Sequence, residues 1–143
     1  MPDVDGSFLI SDPDTRRFAT AETQTVDPLV SMLDRGLPAQ TWGITSDPRG
    51  NHEIRNTSTN TCWAVPRITV GPGSLVKHVA CTGASEQQWE IQTMSTDGTT
   101  RLISVHSARC AGLALTEPGN KPVLRELDCT GGANQKFLLL RLT

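Results

Sequence analysis

The apolar positions of the chain fall into short runs, each cut off by polar and turn-forming residues. In the first third they cover 8–10, 17–20, 29–33 and 42–44; in the second, 53–55, 62–65, 75–79 and 89–91; in the last, 102–105, 110–113, 123–127 and 137–140. An amphipathic helix needs apolar residues at i, i+3, i+4 and i+7 over about 11 residues, and no window sustains that spacing. Runs this short predict β-strands. The clusters that bound them, such as Ser11-Asp12-Pro13-Asp14 and Asn56-Thr57-Ser58-Thr59-Asn60, predict tight turns.

The runs are one set of four written three times. Each fourth run is opened by a glutamine, any residue and a large aromatic: Gln40-Thr41-Trp42, Gln87-Gln88-Trp89 and Gln135-Lys136-Phe137. The copies lie 47 and 48 residues apart, and a fixed period means that one supersecondary unit has been copied. The expectation is an all-β, twelve-stranded, pseudo-threefold protein. It forms a single domain over residues 1–143, with repeats at approximately 7–46, 47–95 and 96–143. The last run reaches almost to residue 143 and can pair beside the first, which leaves the sheet no free edge.

Composition agrees with strands and turns, since 12 glycines and 9 prolines suit neither long helices nor an extended core. The formal charge is −2, with both signs dispersed, which gives no electrostatic basis for nucleic acid or an anionic membrane as partner. No apolar run approaches the length of a transmembrane segment. The opening Met1-Pro2-Asp3-Val4-Asp5-Gly6 lacks the basic and apolar regions of a signal peptide. That fits either a cytosolic protein or a mature form carrying an added methionine.

The four cysteines bear on that choice. Cys62 and Cys81 are 19 residues apart, and so are Cys110 and Cys129, each pair at the same phase of its repeat. Four cysteines allow three connectivities, and equal spacing in equivalent units favours Cys62–Cys81 with Cys110–Cys129. Free thiols in a cytosolic protein are the alternative; zinc is disfavoured because no Cys-x-x-Cys or paired-histidine spacing occurs. Disulfides would place the protein outside the cytosol, secreted or periplasmic in transit. In the first repeat Phe18 and Asp34 stand at the cysteine positions, and a phenylalanine can fill with hydrocarbon what the other units tie covalently.

The period, the Gln-x-aromatic signatures and the in-phase cysteine pairs together resemble the ricin-type β-trefoil lectins over essentially residues 7–142. The resemblance implies a β-trefoil in which the signature aromatic packs in the shared core and the glutamine ties its turn. It also implies a non-catalytic carbohydrate-binding module for glycans or glycoconjugates, without cofactor or metal. A working repeat of that family carries an aspartate two residues after the first cysteine, where this chain has Thr20, Ala64 and Gly112. The aromatic platform two residues before the second cysteine is replaced by Met32, Val79 and Leu127. The asparagine before the signature glutamine survives as Asn134 alone, with Ala39 and Glu86 in the other units. The third repeat is therefore the least eroded, with Gly112, Arg125, Asn134 and Gln135 as its candidate ligand-binding set. Cys62-Trp63-Ala64-Val65-Pro66 and the run 91–110 also resemble the lectin-like accessory subunits of cytolethal distending toxins, which implies a toxin catalytic subunit as an alternative partner.

Some residues stand outside these patterns. Trp63, beside a cysteine on a strand, is expected to pack beneath the following loop; exposed, it would be a binding anchor. Arg67, in Val65-Pro66-Arg67-Ile68 with Gly71-Pro72-Gly73 beyond, could be presented to a trypsin-like protease as an inhibitor loop. Asn56-Thr57-Ser58 matches a glycosylation acceptor. His52, His78 and His106 lie in scattered contexts, and no nucleophile elbow, phosphate loop or paired carboxylates surround them, so nothing points to an enzyme.

Overall fold

The computed structural model describes residues 5–23, 28–68, 72–94, 98–115 and 122–142. Within them the chain forms twelve strands. The first repeat contributes β1 (Gly6–Asp12), β2 (Arg17–Ala21), β3 (Val30–Leu33) and β4 (Trp42–Ser46). The second gives β5 (His52–Asn56), β6 (Thr61–Ala64), β7 (Lys77–Ala80) and β8 (Trp89–Thr93). The third gives β9 (Thr100–Ser104), β10 (Cys110–Leu115), β11 (Pro122–Leu127) and β12 (Leu138–Leu142). Single 3₁₀ turns, Ser85–Gln87 and Ala133–Gln135, precede two of the signature aromatics. Those turns carry no apolar periodicity, so the run pattern did not announce them.

The first and fourth strands of the units build a barrel. β1 pairs with β12 and β4, β4 with β5, β5 with β8, and β8 with β9. A bridge between Thr100 and Phe137 closes the ring. The expected pairing of last strand with first is present, Leu9 opposite Leu140. The second and third strands form hairpins β2–β3, β6–β7 and β10–β11 that cap one end. Each hairpin touches the next in a cyclic order, through Leu29–Lys77, Leu75–Arg125 and Ser31–Val123. This is a β-trefoil.

Threefold repetition extends to the turns. After β1, β5 and β9 the backbone N–H of Arg16, Asn60 and Ala108 donates to Asp12, Asn56 and Ser104, each at 2.8 Å. All three donors sit in the left-handed region, with φ near 60°, and only the asparagine belongs to a type that tolerates it readily. The Asn56 side chain accepts from Ser58 and Thr59 N–H groups and donates to the Ala39 carbonyl, and it is fully buried. The acceptor sequence at Asn56 is thus sealed inside a turn, where no glycan can be attached to the folded chain.

The core lies on the pseudo-threefold axis. At the residue after each first-cysteine position stand Ala19, Trp63 and Ala111, all fully buried. One large side chain and two small ones fill the axial space here, so close packing is reached with three unequal residues. Trp63 meets Trp42 and Trp89 edge-on, with ring centroids 5.6 and 5.7 Å apart. Trp63 is therefore not an exposed binding anchor; the threefold axis, not the adjacent loop, claims it.

Both disulfides form as spacing suggests, Cys62–Cys81 and Cys110–Cys129, with Cα atoms 5.2 and 5.1 Å apart. Each ties the start of a hairpin to a cysteine one or two residues past its end, closing a loop worth roughly 3 kcal/mol in chain entropy. In the first repeat Phe18 is buried at that place, with the Arg35 guanidinium 5.9 Å over its ring.

Candidate functional site

The first two units each form a cleft between the capping hairpin and the turn leading into the signature aromatic. The glutamines build that turn. Gln87 accepts from Thr82 N–H at 2.7 Å and donates to the Ala80 carbonyl at 2.8 Å. Gln135 accepts from Thr130 N–H at 2.9 Å and donates to the Asp128 carbonyl at 2.8 Å. Gln40 does the same between Gly36 N–H and the Asp34 carbonyl. The tryptophans tie the turn to the hairpin, Trp42 Nε1 donating to the Ala19 carbonyl and Trp89 Nε1 to the Trp63 carbonyl. Gln87→Ala should cost about 1–3 kcal/mol, because it strips both partners of a part-buried backbone donor and acceptor. A denaturant melt checks this; a loss below about 0.5 kcal/mol would show the turn holding without its glutamine.

The third repeat brings its predicted residues together but leaves little room. Gly112 lies opposite Arg125 across β10–β11, with Leu127 two residues further along the same face. A Cβ on Gly112 would lie 2.6 Å from Leu127 Cδ1 and 3.3 Å from Gln135 Cγ. Leu127 thus occupies the space into which a family aspartate would project. Arg125 donates through Nη1 to the Gly73 carbonyl at 2.6 Å, towards the neighbouring unit. Gln135 is buried in its turn, and exposed Asn134 donates to the Leu113 carbonyl at 3.2 Å.

The second repeat is more open. A cleft of about 260 Å³ is bordered by Ala64, Pro66, Leu75, Lys77, Val79 and Glu86. Ala64 stands where the family carries its acceptor carboxylate, and Glu86 supplies a carboxylate from the facing turn. The first repeat has a comparable cleft of about 240 Å³ beside Thr20, Leu33 and Pro38. There the Thr20 hydroxyl is occupied, accepting from Gln40 and donating to the Phe18 carbonyl. Along the sequence Glu86 shows only that the family's asparagine is missing from that position. Its relation to Ala64 appears when hairpin and turn face each other.

Arg67 is exposed, as an inhibitor loop requires. Its carbonyl accepts from His106 Nε2 at 2.7 Å, and the other ring nitrogen of His106 meets Ser85 Oγ at 3.2 Å. A protease-binding arginine must offer that carbonyl to the enzyme, so the contact works against the inhibitor reading. Residues 69–71, which would close the loop, lie outside the described residues. His78 is held by Thr61 and the Glu22 carbonyl, and His52 is buried on β5, so the three histidines do not converge. Glu53 lies near Cys62 and Cys81, but both sulfurs belong to the disulfide and cannot serve as thiolate ligands. No helix among the described residues is long and apolar enough to cross a membrane.

No curated protein matches the sequence. Among solved structures, the designed threefold-symmetric protein ThreeFoil superposes with a TM-score of 0.83 at 18% identity, covering 96% of this chain and 100% of that one. A mosquitocidal holotoxin matches with a TM-score of 0.83 at 16% identity, over 97% of this chain but 17% of that one. The cytolethal distending toxin of Haemophilus ducreyi matches with a TM-score of 0.75 at 16% identity, covering 98% and 86%. Identities this low establish a shared fold. The ricin-type beta-trefoil lectin domain-like family matches residues 38–124, more than half of the chain, and the protein belongs to that family.

Proposed function

We infer that the chain, acting as one domain, is a non-catalytic carbohydrate-binding module that works outside the cytosol. Family membership and two disulfides support the class and the compartment. The observation that carries the choice of site is the open second-repeat cleft, which pairs Glu86 with an aliphatic floor of Pro66, Leu75 and Val79. A carboxylate accepts charge-assisted hydrogen bonds from vicinal hydroxyls, and the floor covers the apolar face of a sugar ring. The third repeat, through Arg125 and Asn134 beside Gly112, is the secondary candidate and needs Leu127 to swing away.

A glycan array with the purified protein should show bound structures, and Glu86→Ala should weaken them about tenfold or more, the loss of one charge-assisted contact. An array that stays dark would overturn the sugar-binding reading. Binding unchanged by Glu86→Ala but lost in Asn134→Ala would move the site to the third repeat. A second reading, an accessory or receptor-binding subunit of a multi-component toxin, is supported by the likeness to a cytolethal distending toxin. It predicts a tight complex with a catalytic subunit encoded in a neighbouring reading frame, measurable by co-purification.

A further inference from the structure

The fourth strand of each unit is the same element three times, so its outward positions can be compared directly. Inward, β4, β8 and β12 carry Ile44, Ile91 and Leu139. Outward, β4 and the residue after it carry Gly43, Thr45 and Asp47, and the β8 counterparts are Glu90, Gln92 and Met94. On β12 those places are Leu138, Leu140 and Leu142. Two copies of the strand form with largely polar outer faces, so the fold does not require leucines there. Leu140 and Leu142 nevertheless remain 40% and 37% exposed, and Leu37, from the turn before Trp42, is 46% exposed.

These side chains border a concavity. A groove of about 410 Å³ is lined by Leu9, Leu37, Pro38 and Leu142, with Arg35 and Ser58 also on its walls. Leu140 adjoins it, directly opposite Leu9 in the β1–β12 register. The symmetry-related groove between the first two units is lined by Asp47 and Glu53 where this one has Leu142 and Leu9. Thus the trefoil tolerates two carboxylates where this groove has two leucines.

We propose that the leucine groove is a protein-docking site for a segment of another polypeptide. That segment inserts an apolar side chain against Leu9, Leu37 and Leu142 and sets a carboxylate beside Arg35. Among the described residues Arg35 is the single charged one lining the groove, and its guanidinium rests over the Phe18 ring. A symmetric second copy would bring the same cation to the same patch. It would also have to build an interface of roughly 800 Å² per partner around apolar surface of at most a few hundred Å². A projecting segment uses the concavity and supplies the missing anion. The groove lies away from the second-repeat cleft, so the proposal stands apart from sugar binding.

The test is a selection of random peptides displayed on phage, captured by the intact wild-type protein. The pool is depleted against Leu140→Thr/Leu142→Asp, which installs the residues of β4. Enriched peptides should place a leucine, isoleucine or phenylalanine next to an aspartate or glutamate. Synthetic versions should bind the variant at least about tenfold more weakly, a change of roughly 1.4 kcal/mol. Arg35→Glu should turn the preference towards basic peptides. No enrichment over the variant, or enriched peptides without acidic residues, would overturn the proposal. So would sedimentation showing that the wild type dimerises through these leucines, or flotation showing variant-sensitive binding to phosphatidylcholine vesicles. Circular dichroism and a cooperative melt establish that the variant is folded; Arg35→Glu provides the charge test even if the double substitution does not fold.

Discussion

Trp63→Ala is expected to lower the unfolding free energy by about 3–5 kcal/mol, the range for deleting a large buried aromatic. The indole fills the pseudo-threefold axis against Trp42 and Trp89 within the buried core cluster. Its own Nε1 has no hydrogen-bond partner among the described residues, so the loss is one of packing and not of a polar contact. The symmetry of the axis offers a sharper check. Trp63→Ala combined with Ala19→Trp moves the large side chain to an equivalent position and should recover a substantial part of the loss. Denaturant unfolding of both variants decides the matter. A single-variant cost under about 1 kcal/mol, in the range of ordinary substitutions, would mean that Trp63 does not hold the three units together.

The second large effect is expected at Arg109. Glu126 is fully buried on β11, and neither carboxylate oxygen has a hydrogen-bond partner among the described residues. Its salt-bridge cation is Arg109, whose Nη1 lies 3.7 Å away and whose Nε also reaches the exposed Asp128. Arg109→Met should therefore cost about 3–5 kcal/mol, because it strands a charge in the interior. Adding Glu126→Leu to that variant should restore most of the stability, since a buried ion pair is often worth no more than an apolar pair of the same volume. Thermal melts of the two single variants and the double variant close the cycle. If the double variant is no more stable than Arg109→Met alone, the cost lies in packing of the arginine stem and not in an unpaired carboxylate.

Position 126 also shows where the alternation of apolar and polar residues misleads. Its counterparts in the other units are Ser31 and His78, so each hairpin carries a polar residue on a face that otherwise belongs to the core. His78 is satisfied by Thr61 and by a carbonyl of the first repeat, whereas Ser31 and Glu126 have no hydrogen-bond partner among the described residues for their side-chain oxygens. A strand pattern records only which face a residue takes. It cannot record which neighbour from another repeat comes to meet it.

The candidate site divides in the same way. The turn role that the family resemblance implies for the signature glutamines is a local one, since their backbone hydrogen-bond partners lie within seven residues along the chain. The third repeat was legible as the least eroded unit because Asn134 is a local match. That Leu127 fills the space beside Gly112, or that Glu86 faces Ala64, depends on a side chain reaching across a hairpin or from a separate turn.

The sequence by itself determined the strands, the threefold period, the disulfide pairing and the family. Each rests on spacing along one chain, and a copied unit announces its spacing three times. Only the tertiary structure decided that Trp63 is core and not anchor, that Leu127 crowds Gly112 in the third repeat, and that β12 turns leucines to solvent. Symmetry makes three positions equivalent in space, but this chain fills them unequally, with Ala19, Trp63 and Ala111 on the axis, and three outer faces need not serve the same partner. Those differences between copies acquire their meaning when the copies are folded against one another.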